Sequence, residues 1–439
     1  MTTPAPDTVI ILGAGVTGLT AAYHLSKHDY RVTVLDYHDW RDEFRSNPSD
    51  PVPILLGCHR ETKRILHALG PYGPTHADTT IPLEFRLPDG RAVSYQSTRL
   101  PGAFQWMMSL FSFDGLAWHD RWRLFSHVEQ IWEQAHTLPA DLENRIADEW
   151  LTSIGQSSKA REQIWAPLTQ WLTGTSVEHL SAATFVHLLS TVFLGDASDA
   201  RLTHLEGSVA SRLATPLTRA LPQDRVQVVQ LPHEPTLRFG QAGVSYVRRH
   251  DGTPLEAQWY LVALPYQRLL TLLPERLLTR YAYFAQLTDL RNQPEIVVHV
   301  TCRAATRPPR LLLLTERPFH HLTIAAVGSE HVRYSLSTTG NSPLIELNDD
   351  QLLALGLAEL SILCPEVEAD TITSQEVSRE NQAALLLIPG AARLRPIQQS
   401  PIQNLLITGA WTDTGWPSNL ESTLVSARRC GEIILGRSA

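Results

Sequence analysis

The segment from Thr8 to Asp36 constrains this chain more than any other. Thr8-Val9-Ile10-Ile11-Leu12 is a continuous, β-rich apolar run of the kind that forms a buried parallel strand. It leads directly into Gly13-Ala14-Gly15-Val16-Thr17-Gly18, a G-x-G-x-x-G. A helix is predicted from Leu19 to about Lys27, with Ala21 and Ala22 small enough to lie close to a sheet. A second strand, Arg31 to Leu35, then ends in Asp36. Gly13 permits a tight turn, Gly15 lets the backbone approach a pyrophosphate, and Gly18 allows close helix–strand packing. Ala14 and Thr17 complete the turn at the helix N-terminus, where amide hydrogens and positive dipole face the phosphates. Asp36, about 20 residues beyond the turn, suits a ribose diol. Strand, turn, helix, strand and acid in this register predict a dinucleotide-binding βαβ unit. They do not separate FAD from NAD.

The far end of the chain makes that distinction. Asn404 to Thr408 reads as a strand, followed by Gly409-Ala410-Trp411-Thr412-Asp413-Thr414-Gly415-Trp416-Pro417. A helix is predicted from about Glu421 to Leu435, with Ser418 or Asn419 as its N-cap. This strand–glycine–loop–helix resembles the C-terminal flavin motif of the phytoene desaturase and amine oxidase superfamily. From Ser378 onward the sequence resembles the hydroxysqualene dehydroxylases, the squalene-associated FAD-dependent desaturases of hopanoid gene clusters. Ser378-Arg379-Glu380-Asn381-Gln382-Ala383-Ala384, Arg395-Pro396 and Ser400-Pro401-Ile402 carry that likeness together with the Gly409–Pro417 stretch. Leu56 to Thr62, Ala147 to Leu151, Ile164 to Leu168 and Ala263 to Tyr266 extend it across most of the chain.

The resemblance implies an α/β fold: a discontinuous Rossmann-type FAD-binding domain with a second, α+β substrate domain. Residues 1–80, 205–270 and 395–439 would form the first, and 81–204 with 271–394 the second. It implies FAD as cofactor. Gly13, Gly15 and Gly18 would hold the pyrophosphate, Asp36 the adenosine ribose, and Ala263 the strand that returns to the flavin domain. Gly409 and Ala410 would lie against the ribityl–phosphate chain. Leu420 and Glu421 would present backbone amides to the flavin O2 side, where a helix dipole favours the anionic reduced ring. The implied activity is reductive dehydroxylation of hydroxysqualene to squalene, with carotenoid-type desaturation as the enzyme alternative. Asp413 is the candidate general acid, or else a turn cap. Trp411 and Trp416 are candidate aromatic walls for a developing carbocation.

Two departures keep a non-catalytic alternative open. The superfamily follows the second-strand acid with a Gly-Gly-Arg turn, whereas here Tyr37 to Arg45 contains no glycine. The stretch before Gly57 is reduced to Asp50-Pro51-Val52-Pro53-Ile54. Either Arg41 or Arg45 replaces the missing grip, or FAD is held weakly or not at all. In the last case the chain would serve as a partner of prenyl-joining synthases. Ser422-Thr423 and Ser426-Ala427 also stand where the superfamily has Gly-Ala and Ser-Gly.

Composition narrows the remaining classes. The 439 residues carry a net charge of -8, which provides no broad basic field for nucleic acid. Four separated cysteines form no metal or redox motif, and the scattered histidines lack companions at ligand spacing, so no metal is expected. The N-terminus is not a signal peptide, and no run reaches the ~18 apolar residues of a membrane span. A cytoplasmic protein is expected, with membrane-surface contact on the inner face of the plasma membrane and an apolar isoprenoid substrate. From about Phe104 to Phe193 the chain reads as aromatic helix. Trp118, Trp122, Phe125, Val128, Ile131 and Trp132 fit one helical face, either as core or as the mouth of an apolar tunnel. Of 37 basic residues only Lys27, Lys63 and Lys159 are lysines. Many amine oxidases of this superfamily place a lysine from the substrate domain's strands at flavin N5. No lysine follows Lys159, which argues for the lipid branch.

Overall fold

The computed structural model describes residues 7–37, 54–72, 78–97, 103–137, 139–241, 243–305, 307–340 and 342–436. Arg41, Arg45 and the Asp50–Pro53 stretch lie outside them. A five-stranded parallel sheet is assembled from distant parts of the chain. Its strands are β1 (Thr8–Leu12), β2 (Arg31–Asp36), β3 (Val226–Gln230), β4 (Trp259–Val262) and β5 (Leu405–Ile407), in the spatial order β5-β4-β1-β2-β3. β1 is central, which explains its unbroken apolar run: Val9 to Leu12 are buried on both faces.

Helix α1 (Val16–Ser26) starts three residues earlier than the sequence pattern suggested, because Gly15 is its N-cap and Leu19 N donates to Gly15 O at 3.0 Å. Helix α2 (Arg60–Leu69) and the C-terminal helix α3 (Leu420–Ile434) pack beside it. Leu19, Leu25, Val34, Ile65, Leu424 and Ala427 share one apolar core in this layer.

A seven-stranded mixed sheet forms the second layer system. Its order is Ile372–Leu385, Asn292–Arg303, His331–Thr339, His321–Val327, Arg310–Leu314, Leu83–Arg86 and Ala92–Tyr95. All neighbours are antiparallel except Arg310–Leu314 with Leu83–Arg86. The strand Ile372–Leu385 contains the Ser378–Ala384 motif, whose polar, outward-facing residues concealed a strand period. The fold is therefore mixed α/β, a parallel sheet plus further sheets and helices.

The aromatic region corrects one expectation. Residues Trp118–Ser126 and Val128–Thr137 are two helices separated at His127, so their side chains do not share a face. Ile131 is fully buried, whereas Trp118, Trp122 and Trp132 are 66%, 53% and 55% exposed. The core reading fails for these three tryptophans. Among the described residues no helix is long and apolar enough to cross a membrane.

Candidate FAD site and neighbouring cavities

The β1–α1 turn has the shape a pyrophosphate requires. Gly13 adopts φ +104°, and a Cβ there would lie 2.6 Å from Ala263 O. A Cβ on Gly18 would lie 2.0 Å from Gly13 O, so this glycine sets how closely α1 meets the strand. Gly15 differs: a Cβ there would meet nothing within 4 Å, leaving open space at the N-terminus of α1. Ala14 is buried and Thr17 is partly exposed beside that space. Asp36 is buried at the C-terminal end of β2, and Ala263 N donates to Leu12 O at 2.8 Å. Two closed glycines and one open one form a cradle that FAD fits.

The C-terminal motif is an elaborately tied loop. Arg395, buried, donates from Nη2 to Ala410 O (3.0 Å) and Thr412 O (2.6 Å), and from Nη1 to Trp416 O (2.6 Å). Its Nε reaches Trp411 O and its Nη2 reaches Ser422 Oγ, both at 3.4 Å. Ser422 Oγ also donates to Ala410 O (3.0 Å), and Ser426 Oγ accepts from Gly409 N (3.1 Å). Ser422, which stands where the superfamily has glycine, and Ser426, which keeps its serine, are thus the posts to which this loop is tied.

Several sequence-derived residues take other roles. The side chain of Glu421 points away from its own helix: its carboxylate accepts from Glu61 N (2.9 Å), Thr62 N (2.8 Å) and Thr62 Oγ1 (2.7 Å). Glu421 therefore caps α2, while Leu420 begins α3 behind the N-cap Asn419, whose side chain accepts from Ser422 N. Trp411 is buried with its Nε1–H bonded to Leu264 O at 3.0 Å, so it pins the loop to the segment after β4 rather than walling a cavity. Trp416 lines a cleft of about 450 Å³ with Cys58, Trp132, His136, His187 and Asp199.

Asp413 is exposed, and its Oδ1 accepts from Gly415 N at 3.3 Å. The side chain thus closes the Asp413–Gly415 turn while facing solvent, the turn-cap alternative, without the water exclusion that a general-acid role calls for. Cys58 is inert, its thiol pushed up to about 12 by burial and then by the Asp199 charge. The lysines are engaged elsewhere: Lys27 Nζ sits 4.0 Å from the Tyr23 ring centroid, and Lys63 Nζ donates to Gly57 O at 2.8 Å. Among the described residues no cluster of three or more His, Cys, Asp or Glu side chains is placed to hold a metal.

A separate, apolar cavity of about 40 Å³ lies under the aromatic helices. Trp106, Leu110, Phe113, Leu124, Ile164 and Phe193 are among its walls, and Tyr95 brings the one hydroxyl group. Burial pushes the Tyr95 phenol up to about 12, so it stays protonated at neutral pH. Rings continue outward from it: Trp106 stacks on Phe125 (5.9 Å), which touches the exposed Trp122 (5.7 Å).

A half-buried carboxyl in the second sheet gives a pH signature. Burial raises Glu295 from 4.5 to about 7; its Thr339 hydrogen bond opposes this shift and Glu380 reinforces it. The folded pKa exceeds the unfolded one, so the folded chain binds the extra proton. Stability therefore falls as pH rises through that window and levels above about 7. Glu295→Gln should match the parent at pH 4 and exceed it by ~1–3 kcal/mol at pH 8 in urea melts. An equal gain at both pH values would assign the effect to packing instead.

Comparison with known proteins agrees with this geometry. The family model for FAD dependent oxidoreductases matches residues 8–46, and that for flavin containing amine oxidoreductases matches residues 53–435. The chain belongs to the flavin-containing amine oxidoreductase family, and FAD is its cofactor. It is 21% identical to 15-cis-phytoene desaturase of Narcissus pseudonarcissus, over 97% of this chain and 79% of the relative. It is 22% identical to a probable zeta-carotene desaturase of Synechococcus elongatus, over 98% of this chain and 99% of the other. Among solved structures, an oxidoreductase from Methanosarcina mazei aligns with TM-score 0.71 at 12% identity, covering 97% of this chain and 100% of that one. A putrescine oxidase triple mutant aligns with TM-score 0.69 at 14% identity, covering 99% of both.

Proposed function

We propose that this flavoprotein performs redox chemistry on an apolar isoprenoid chain, specifically the reductive dehydroxylation of hydroxysqualene to squalene. The observation that carries the reading is the apolar aromatic lining around a single hydroxyl; at about 40 Å³ the cavity must widen to admit a prenyl chain. The absence of any lysine after Lys159 supports it by weighing against amine oxidation. In the reaction the substrate's C–O bond breaks, the oxygen takes up a proton and leaves as water, and a hydride closes the new C–H bond. Bound FAD, kept reduced by an external donor, supplies the two electrons as hydride.

The chain's own residues bind and exclude. The apolar walls hold prenyl units out of water, and aromatic faces tolerate developing positive charge. The protonated Tyr95 can donate a hydrogen bond to a substrate oxygen. The exposed Met108, Trp118, Trp122 and Trp132 suit a peripheral position on a membrane surface, where aromatic rings are favoured. Contact with prenyl synthases of the same pathway would supply such a substrate.

Desaturation is the second reading, favoured by relatives named as phytoene and zeta-carotene desaturases. It runs the hydride the other way. The test pairs a visible spectrum with product analysis. Purified protein should show flavin absorbance near ~450 nm. With a reductant it should convert hydroxysqualene to squalene, and with an oxidant leave phytoene unchanged. Phytoene conversion alone would establish the desaturase. A colourless protein that gains no spectrum on FAD addition would leave the partner role.

A further inference from the structure

Arg395 is a buried cation. Among the described residues no carboxylate lies within ion-pair distance of its guanidinium; Asp413 acts on it only as a nearby charge. Its partners are instead four carbonyl oxygens, of Ala410, Trp411, Thr412 and Trp416, and the Ser422 hydroxyl. A buried charge costs several kcal/mol unless it is well solvated, and here loop carbonyls take the place of water. That arrangement fixes the loop. Five donors in a rigid plane hold Ala410 to Trp416 in one shape, which a flexible ammonium could not reproduce. Gln398 assists from the same side, its Nε2 donating to Thr412 Oγ1 at 2.8 Å and Asp413 O at 3.2 Å.

The same guanidinium lies against the first turn of α3, where the helix dipole is also positive. Glu421, the acid of that turn, is committed to the N-terminus of α2. Two positive sources therefore meet beside the loop. This favours an added negative charge on a group bound there, and a flavin gains negative charge on reduction.

We propose that Arg395 is a positioning residue for FAD, acting through the Ala410–Trp416 loop, and that its charge favours the reduced cofactor. The two roles separate by substitution. Arg395→Lys keeps the charge and loses the planar fork; Arg395→Gln loses both. FAD dissociation constants, from flavin fluorescence, should rise at least tenfold in both variants. The reduction potential should hold in Arg395→Lys and fall in Arg395→Gln, by about tenfold in the reduced-to-oxidised ratio or ~30 mV for two electrons. Arg393→Ala, at an exposed neighbour, should leave both quantities unchanged. Parent-like FAD affinity in Arg395→Lys would overturn the positioning role. A parent-like potential in Arg395→Gln would overturn the electrostatic one. If Arg395→Gln does not fold, a potential lowered in Arg395→Lys to the same tenfold extent would overturn that role, and an unchanged one would support it.

Discussion

Glu421→Ala should destabilise the fold by about 3–5 kcal/mol, because it strands three buried donors at once. The N-cap position of α2 is His59, whose side chain makes no capping bond. The donors of the first turn, Glu61 N and Thr62 N, with Thr62 Oγ1, are met instead by one carboxylate from α3. Removing it leaves those buried groups without the acceptor that the fold provides for them. Glu421→Gln should be only a partial rescue, since one acceptor remains but its amide now faces donors. For a chain of this length the alanine change corresponds to a melting temperature lower by roughly 3–6 °C. Calorimetry of the two variants checks the order. If Gln and Ala were equally stable to the parent, the carboxylate would not be the cap that the distances describe.

Gly57→Ala should be at least as damaging, for a steric reason. A Cβ on Gly57 would fall 1.4 Å from Ser198 O and 2.4 Å from Ser198 C, both backbone atoms. No rotamer change relieves that clash; the Gly57–Cys58 turn and the Ser198–Asp199 segment must part, breaking the 3.1 Å bond from Cys58 N to Asp199 O. The expected cost is ~3–5 kcal/mol, at or above the upper end for overpacking because the neighbours cannot yield. Gly70→Ala, at the other end of α2, meets nothing within 4 Å and has helical φ, so it should be neutral or slightly stabilising. Denaturant midpoints for the pair provide the measurement. A Gly57→Ala midpoint equal to that of Gly70→Ala would contradict the close approach.

The glycine turn was legible because its chemistry is local. Gly13, Gly15 and Gly18 differ in what surrounds them, yet their spacing alone assigns each a job, since strand, turn and helix are contiguous. Along Ile372–Leu385 polar residues dominate, so no apolar period marks that strand of the second sheet. Asp413 left two readings open, general acid or turn cap, because a loop acid reads the same in sequence whether it faces a cavity or solvent.

From the sequence alone came the dinucleotide fingerprint, the C-terminal flavin motif and the lack of a lysine beyond Lys159. These depend on short-range order along the chain. Only the tertiary structure decided the work of Arg395, Glu421, Ser422 and Gly57. Their partners come from other segments: Glu421 and Thr62 are 359 residues apart, and Gly57 is shaped by Ser198. Capping, charge burial and close backbone approach are properties of pairs, and spacing along one strand of sequence carries no record of which pairs will meet.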